Sequence, residues 1–373
     1  MTLDSNVSAK SSWVAAAPAF ALPVLFLGYA VVANYEFVTG LGRDIAEMPK
    51  TVSAYLSGEA ATQIDSYYKK IMPHRLPSID AMGAARYLAF REGRPGVVVG
   101  DDGWLFSKEE FEATLKRTPD LAEATAGVTA VRDQLAAKGI ELVVVPLPAK
   151  ADIYREHVSY PAIPTDLERL YEDFRTGLDN AGIRSVETRA PLLEAKGKGQ
   201  LFLTTDTHWT PLGAEVVADA VGAALGKRDT AYTIADTAPV ERDGDLSKFI
   251  VTGGLAPLVG LGPETVVPRE ASAPPAASST DIFGPSSIPF VLTGTSYSAN
   301  PQWSFGESLK VSLGSDVLNL AEEGKGPIAP MRAFLDSATL RDTPPEVVIW
   351  EFPIRYLGQT QLWDPESAKE AVE

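Results

Sequence analysis

Cysteine is absent from this sequence, and histidine occurs at three positions, His74, His157 and His208. The missing thiols exclude disulfide bonds, thiolate nucleophiles and cysteine-ligated metals, and they are compatible with an oxidising compartment. With so few imidazoles, any histidine chemistry must come from one of these three positions. His208 is the one with a carboxylate, Asp206, two residues away, where it can orient the ring of a base.

Basic residues are also few, since 33 Lys and Arg stand against 49 Asp and Glu, giving a formal net charge of −16. That balance argues against nucleic-acid binding, which needs clustered cations to neutralise phosphates. It also disfavours a polyanionic substrate, unless a local basic groove offsets the overall field. The content of 45% hydrophobic and 22% charged residues is that of a globular protein with a sizeable core.

Charge is missing altogether from one stretch near the N-terminus. Residues 14–33 form an almost wholly apolar run of about 20 residues, the length that crosses a bilayer as a helix. Lys10 before the run and Glu36 after it favour a cytoplasmic N-terminus and an exported body. We therefore predict a retained signal anchor, a transmembrane helix, over residues 1–35. The alternative is a cleaved signal peptide, for which the small residues at the end of the run provide a cleavage site.

The remaining chain is predicted to contain a helical stalk over residues 36–95 and a catalytic domain over residues 96–373. Helical and strand patterns alternate through the second segment, which predicts a three-layer α/β domain with a mainly parallel sheet. Residues 263–288 are rich in Pro, Ala and Ser and predict an irregular, solvated insertion.

Asp206 and His208 lie just before a predicted helix. Thr210 is a suitable N-cap for that helix, and Pro211 suits its first turn, where no amide donor is needed. A histidine and an aspartate held in a short loop at a helix start have the arrangement of a base and its orienting partner. A solvated or capping pair is one alternative, and a metal-binding Asp-x-His is another. We predict no metal.

Ser296 is the candidate nucleophile. The predicted strand 289–293 runs directly into Gly294, so the turn places the serine hydroxyl at the carboxyl edge of the sheet, where ligands bind in open α/β sheets. Serine needs an imidazole base, and the imidazole needs a carboxylate. Ser296, His208 and Asp206 provide these three groups. Because Gly-x-Ser turns are common, spacing alone leaves a purely structural interpretation open.

Five blocks of sequence carry the polar and aromatic residues of interest. They are Asp102-Gly103-Trp104-Leu105-Phe106, Pro146-Leu147-Pro148-Ala149-Lys150 with Ile153-Tyr154, Asp206-Thr207-His208-Trp209, Gly294-Thr295-Ser296-Tyr297-Ser298 and Trp350-Glu351-Phe352-Pro353-Ile354-Arg355-Tyr356. In this order they resemble the AlgJ/AlgX-type polysaccharide (alginate) O-acetyltransferases, permuted relatives of the SGNH hydrolases. The resemblance covers roughly residues 97–360 and is closest to the AlgJ arrangement, with an N-terminal anchor and no C-terminal carbohydrate-binding module.

The resemblance implies that Ser296 is the nucleophile, His208 the base and Asp206 its orienting acid. It also implies side chains that line or support the groove, as substrate-binding or oxyanion candidates: Trp209, Lys150, Trp350, Glu351 and Arg355. The backbone amide of Tyr297 is a further candidate for the oxyanion hole.

Structural roles are open for the same residues. Trp104 and Trp350 are suited to be core anchors, and Lys150 is suited to cap a loop. Arg355 is able to pair with Glu351 as a structural bridge.

The expected protein is a single-pass protein of the bacterial inner membrane with its catalytic domain in the periplasm. It would acetylate hydroxyls of an exported polysaccharide through a serine acetyl-enzyme, without a cofactor. The resemblance implies a membrane-bound O-acyltransferase as the partner that donates acetyl groups. A carbohydrate acetylesterase with the same three residues and a non-catalytic glycan-binding assembly factor are the alternatives. The acidic charge makes a neutral or weakly charged polysaccharide at least as plausible an acceptor as alginate.

Overall fold

The fold is described from a computed structural model. The described residues are 20–21, 23–32, 34–35, 39, 51–71, 75–114, 117–159, 163–274 and 288–363. The chain divides into two compact units, Met1–Met82 and Gly83–Glu373. The predicted division into anchor, stalk and catalytic domain stays a prediction.

Helices and strands are interspersed along the described chain. From residue 51 onward the helices in the described part are α1 Val52–Leu56, α2 Glu59–Ile71, α3 Arg75–Phe90, α4 Lys108–Glu112, α5 Arg117–Ala136, α6 Lys150–Ile153, α7 Ile163–Asn180, α8 Arg189–Ala195, α9 Pro211–Leu225, α10 Ser296–Ala299, α11 Phe305–Leu313, α12 Ile328–Leu335 and α13 Ala338–Asp342. The strands are β1 Val97–Val99, β2 Leu105–Ser107, β3 Glu141–Leu147, β4 Arg184–Ser185, β5 Thr233–Asp236, β6 Val240–Arg242, β7 Glu264–Val266, β8 Arg269–Ser272, β9 Phe290–Thr293, β10 Val317–Asn319 and β11 Val347–Pro353.

The N-terminal residues that are described between 20 and 35 are helical. Among the described residues, no helix combines the length and the apolar composition that crossing a membrane requires. The predicted span at residues 14–33 lies partly outside the described residues, so the anchor stays a prediction.

The second unit is built on a parallel sheet with the strand order β10-β9-β11-β3-β4. Runs such as Val143-Val144-Val145 in β3 and the whole of β11 are buried, as expected for strands of a parallel sheet with both faces covered. Helix α5 packs against β3 and α7, and α9 packs against α11. The prediction of an α/β fold with a parallel sheet is confirmed.

The parallel direction of the strands brings three predicted blocks to one edge of the sheet. Strand β3 ends shortly before Lys150, β9 ends shortly before Ser296, and β11 ends shortly before Arg355. Carboxyl ends of parallel strands share one edge, which explains how residues far apart in sequence meet.

The prediction of an irregular segment over residues 263–288 is wrong for its first part. Strand β7 pairs antiparallel with β6, and β8 pairs antiparallel with β5. The proline-rich composition gives no indication of these strands, because each is short and pairs with a strand that precedes residue 263 in sequence. Residues 275–287 lie outside the described residues.

Candidate active site

The Asp206–His208 loop leads into helix α9 as the sequence predicts. The Thr210 hydroxyl caps the helix by accepting the Gly213 amide N–H at 3.2 Å, and Pro211 occupies the first turn. His208 Nδ1 lies 2.5 Å from Asp206 Oδ1, and the same oxygen accepts the backbone N–H of His208 at 2.9 Å. The first of these bonds orients the imidazole ring, and the second holds the carboxylate against the backbone of the same residue.

Ser296 completes a hydrogen-bonded chain with this pair. Its Oγ lies 2.7 Å from His208 Nε2, although 88 residues separate the two in sequence. Strand β9 ends at Thr293, and Ser296 begins the short helix α10. The structure therefore brings the three predicted residues together in the order carboxylate, imidazole, hydroxyl.

The Asp206 carboxylate is wholly buried and strongly hydrogen-bonded. Its Oδ2 accepts the backbone N–H of Asp245 at 3.0 Å, and Arg242 Nε lies 3.5 Å away. Burial alone would raise the pKa of Asp206, but the bonds from His208 and Asp245 outweigh it and hold the pKa well below its usual range. Asp206 is therefore ionised throughout the physiological range, as an orienting acid must be.

Aromatic rings enclose the imidazole. The Trp303 ring stacks on His208 with centroids 5.1 Å apart and an interplanar angle of 18°, and the Tyr297 ring lies 4.8 Å from it. The Tyr297 hydroxyl donates to the Thr207 carbonyl at 2.5 Å, and the Trp209 indole N–H donates to the Tyr297 carbonyl at 3.1 Å. These two bonds join residues 204–209, the base loop, to residues 294–298, the nucleophile turn.

Four of the side chains predicted to line or support the groove are buried, which favours the supporting role. Lys150, Trp209, Trp350 and Glu351 are each at most 1% exposed. Trp209 packs against Tyr297 and Phe305. The Trp350 indole N–H donates to the Pro327 carbonyl at 2.9 Å, and the residue is a core anchor.

Lys150 supports the site from the protein interior. Its ammonium donates to the carbonyls of Leu105, Thr204 and Asp206 at 2.7, 2.9 and 2.9 Å. Burial lowers the pKa of Lys150 to about 8, with the charge of Glu110 offsetting part of the effect.

The expected bridge between Arg355 and Glu351 is not formed within the described part of the chain. The Glu351 carboxylate accepts bonds from Thr295 and Ser298 instead. Arg355 is 7% exposed, and its guanidinium lies over the Tyr297 ring at 5.3 Å, with the Glu109 carboxylate 3.8 Å from Nε. Arg355 is therefore a buried residue that packs against the nucleophile turn through Tyr297.

The amide of Tyr297 already has a partner. It donates to Thr295 Oγ1 at 3.3 Å, and that bond would compete with an oxyanion. The oxyanion role of Tyr297 stays a prediction.

Sequence reasoning missed a group of supporting residues between the base loop and the nucleophile. Glu264 accepts the amides of Thr204 and Thr205 at 2.7 and 2.8 Å, and Asp245 accepts the Thr207 amide at 2.7 Å. Arg242 lies over the Trp303 ring at 4.6 Å. No local pattern marks these residues, because their partners are backbone amides or aromatic faces far along the chain.

Asp206, His208 and Asp245 present ligand atoms within 4.8 Å of one another, a set of donors that a metal could use. Each is already engaged, since Asp206 bonds His208 and Asp245 accepts both the amide and the hydroxyl of Thr207. These bonds account for the arrangement without an ion, so we assign no metal step to it.

The parallel α/β sheet, with a serine, a histidine and an aspartate joined at its carboxyl edge, defines the SGNH-hydrolase-like class. The model of the family described as the SGNH hydrolase-like domain of acetyltransferase AlgX matches residues 97–354. The chain belongs to this family.

Similar proteins include two from Pseudomonas. The chain is 40% identical over 343 residues to the probable alginate O-acetylase AlgJ of Pseudomonas syringae pv. tomato, covering 89% of this chain and 86% of that one. It is 39% identical over 353 residues to the probable alginate O-acetylase AlgJ of Pseudomonas aeruginosa, covering 89% and 90%.

Two solved structures are also similar. The O-acetyltransferase domain of Pseudomonas putida AlgJ matches with a TM-score of 0.63 and 36% identity, covering 72% of this chain and 99% of that one. Pseudomonas aeruginosa AlgX matches with a TM-score of 0.60 and 27% identity, covering 79% and 71%.

Proposed function

We propose that this protein is a polysaccharide O-acetyltransferase that works through an acetyl-serine at Ser296. The observation that carries the proposal is the bonded chain from Asp206 through His208 to Ser296 at the carboxyl edge of the sheet. Its relatives are named as alginate O-acetylases, so an exported polysaccharide such as alginate is the proposed acceptor.

The proposed reaction has two acyl-transfer steps. In the first, Ser296 Oγ attacks the carbonyl carbon of an acetyl donor while its proton passes to His208 Nε2. The tetrahedral intermediate then collapses, the bond to the leaving group breaks, and the imidazolium returns the proton to that group. The negative charge of Asp206 stabilises the imidazolium and keeps its Nδ1–H oriented, while the Trp303 and Tyr297 rings restrict the movement of the ring.

In the second step, a sugar hydroxyl attacks the acetyl-serine. His208 Nε2 accepts the hydroxyl proton and then returns it to Ser296 Oγ as the ester bond to serine breaks. No cofactor enters either step. If water attacks in place of the sugar, the same residues carry out acetyl-ester hydrolysis, so the identity of the acceptor separates a transferase from an esterase.

The proposal extends to the setting of the enzyme. The apolar run at residues 14–33 supports a single-pass anchor in the bacterial inner membrane, with the catalytic domain in the periplasm. Acetyl groups must then reach Ser296 from the membrane, and a membrane-bound O-acyltransferase is the proposed partner that passes them outward.

Replacement of the nucleophile tests the reaction directly. We expect Ser296→Ala in the 373-residue chain to lower acetyl transfer from a chromogenic acetate ester to an acceptor oligosaccharide by about a thousandfold or more, because the imidazole loses the hydroxyl it activates. Mass spectrometry of the wild-type protein during turnover should find one added acetyl group on the peptide that contains Ser296.

Ser312→Ala is the matched control, because that hydroxyl bonds Asp219 on a helix of the same unit and does not contact the three residues. Unchanged transfer in Ser296→Ala would refute the proposal. Release of acetate by the wild-type protein without acetylated oligosaccharide would assign it to the esterases instead.

A further inference from the structure

One buried carboxylate holds the nucleophile turn. Glu351 lies on β11, the strand next to β9, and is fully buried. Its Oε2 accepts the Thr295 amide N–H at 2.7 Å, the Thr295 hydroxyl at 3.0 Å and the Ser298 hydroxyl at 3.1 Å. These donors come from both sides of Ser296, so a single oxygen fixes the two flanks of the nucleophile.

The turn fits closely around this oxygen. A Cβ atom added to Gly294 would lie 2.4 Å from Glu351 Oε2 and 2.8 Å from Glu351 Cβ, so a side chain at residue 294 would displace the carboxylate. The Thr295 hydroxyl, which donates to Glu351, also accepts the Tyr297 amide. The carboxylate thereby orders the backbone on either side of the serine.

The charged and titratable groups that face Glu351 are few among the described residues. Arg355, which follows the same strand, provides the nearby positive charge, and its Nε and Nη1 are buried without a hydrogen-bond partner in the described part of the chain. Tyr297, on α10, lies beneath that guanidinium. On the neighbouring strand β3, the register partner of Glu351 is Val145, which is uncharged.

We propose that Glu351 is a positioning residue whose ionised carboxylate keeps Ser296 Oγ on His208 Nε2, and that protonation of Glu351 releases the turn. The inference rests on the proposed role of Ser296 as nucleophile. An ionised carboxylate only accepts hydrogen bonds, which matches the donors from Thr295 and Ser298. A protonated carboxyl carries a donor of its own and holds the same three hydrogens more weakly.

The proposal has a consequence for pH dependence. Burial raises the pKa of Glu351 to about 7, and the bonds from Thr295 and Ser298, together with the charge of Arg355, offset part of that effect. Activity requires the ionised form and is therefore lost as pH falls through about 7.

The pH profile of kcat/KM for a chromogenic acetate ester, measured with the 373-residue chain, tests this inference. We expect Glu351→Gln to lower kcat/KM by about 10- to 100-fold at alkaline pH, since a small displacement of the nucleophile has an effect of that order. We also expect its acid limb to be less steep than that of the wild type, because the ionisation of Glu351 no longer contributes to it.

Ser298→Ala is the second variant, and it changes little in volume. It removes one bond that favours the carboxylate, so we expect the steep part of the acid limb to move to higher pH. A purely structural loss would lower the whole profile without moving the limb. Glu110→Gln is the matched control, since Glu110 is also a buried carboxyl with a raised pKa but accepts the amides of Lys150 and Ala151. That variant should keep the steeper slope.

An unchanged slope in Glu351→Gln, or an unmoved limb in Ser298→Ala, would overturn the inference. If Glu351→Gln does not fold, which circular dichroism would show, the Ser298→Ala profile decides alone. Failure of the proposed function gives a different result, namely full activity in Ser296→Ala. Loss of activity in that variant, combined with wild-type profiles in the other two, would reject only the role of Glu351.

Discussion

Lys150 is a buried cation that works as a structural tie. An ammonium has three N–H donors, and those of Lys150 bond three backbone carbonyls, one on β2 and two in the segment that leads to His208. The Trp104 and Phe106 rings lie 5.0 and 5.3 Å from the ammonium nitrogen. The side chain that the family resemblance suggested for the groove therefore fastens the base loop to the strand beneath it.

Removal of that ammonium should destabilise the fold. We expect Lys150→Met to lower the free energy of unfolding by about 3 kcal/mol, because it leaves three buried carbonyls without their donor. Chemical denaturation monitored by tryptophan fluorescence measures the change. Lys227→Met, at an exposed position, is the matched control and should stay within about 0.5 kcal/mol of the wild type. Equal unfolding free energies for the two variants would contradict the structural role of Lys150.

The three central residues were predictable because each carries a local signal. Asp206 and His208 stand before a capped helix, and Ser296 follows a strand and a glycine. Glu264 and Trp303 carry no such signal, since a glutamate in a polar segment and a tryptophan after a proline have many possible partners. The burial of Glu351 was also not predictable. Which neighbours surround a residue of β11 depends on the strands that pair with it, and the sequence of β11 alone does not identify them.

At the scale of elements, a short strand pair supports the base loop. Strands β6 and β7 pair over residues 240–242 and 264–266, and Glu264 begins β7. Its carboxylate accepts both backbone amides that precede Asp206, those of Thr204 and Thr205, and the Thr205 hydroxyl at 2.8 Å. The segment between base and nucleophile thus contributes to the site although it contains none of its reacting groups.

Glu264→Gln should therefore reduce activity while the fold persists. An amide in place of the carboxylate loses charge and one acceptor, so we expect kcat/KM for the acetate ester to fall about tenfold, a typical effect for a bond to a charged group. Glu270→Gln on β8 is exposed and provides the matched control. Steady-state kinetics compare the two, and identical kinetics in both variants would show that this strand pair does not position the loop.

A mainly parallel sheet could be predicted from the sequence, but the short antiparallel strands β7 and β8 could not. Buried runs such as β3 and β9 consist almost wholly of apolar residues between turn signals, which is how strands of a parallel sheet are recognised. Strands β7 and β8 have three and four residues and alternate in burial, so their composition resembles that of the surrounding loops. Their pairing depends on partners that precede them, and no pattern within residues 263–288 reveals it.

At the scale of the whole molecule, the net charge affects how readily an anionic acceptor approaches the protein. A protein of charge −16 repels a polyanion at long range, and dissolved salt screens that repulsion. We expect the KM for an anionic uronate oligosaccharide to fall as the ionic strength rises from about 10 to about 150 mM, because the screening length shortens. Initial rates of acetyl transfer measure this dependence.

An uncharged oligosaccharide is the control and should show no such trend, since it has no charge to be screened. A KM for the anionic acceptor that instead increases with salt would mean that local cations, and not the net charge, govern its binding.

The position of β11 bears on when the site can form. It is the last strand of the sheet in sequence, yet it lies between β9 and β3 at the centre. A chain emerges from the ribosome N-terminus first, so β3 and β9 are both made before the strand that joins them. The carboxylate that fastens the nucleophile turn arrives on that same strand. Synthesis therefore completes Ser296, His208 and Asp206 before β11, so a chain that stops short of this strand contains the three residues but lacks the carboxylate that binds the turn around Ser296.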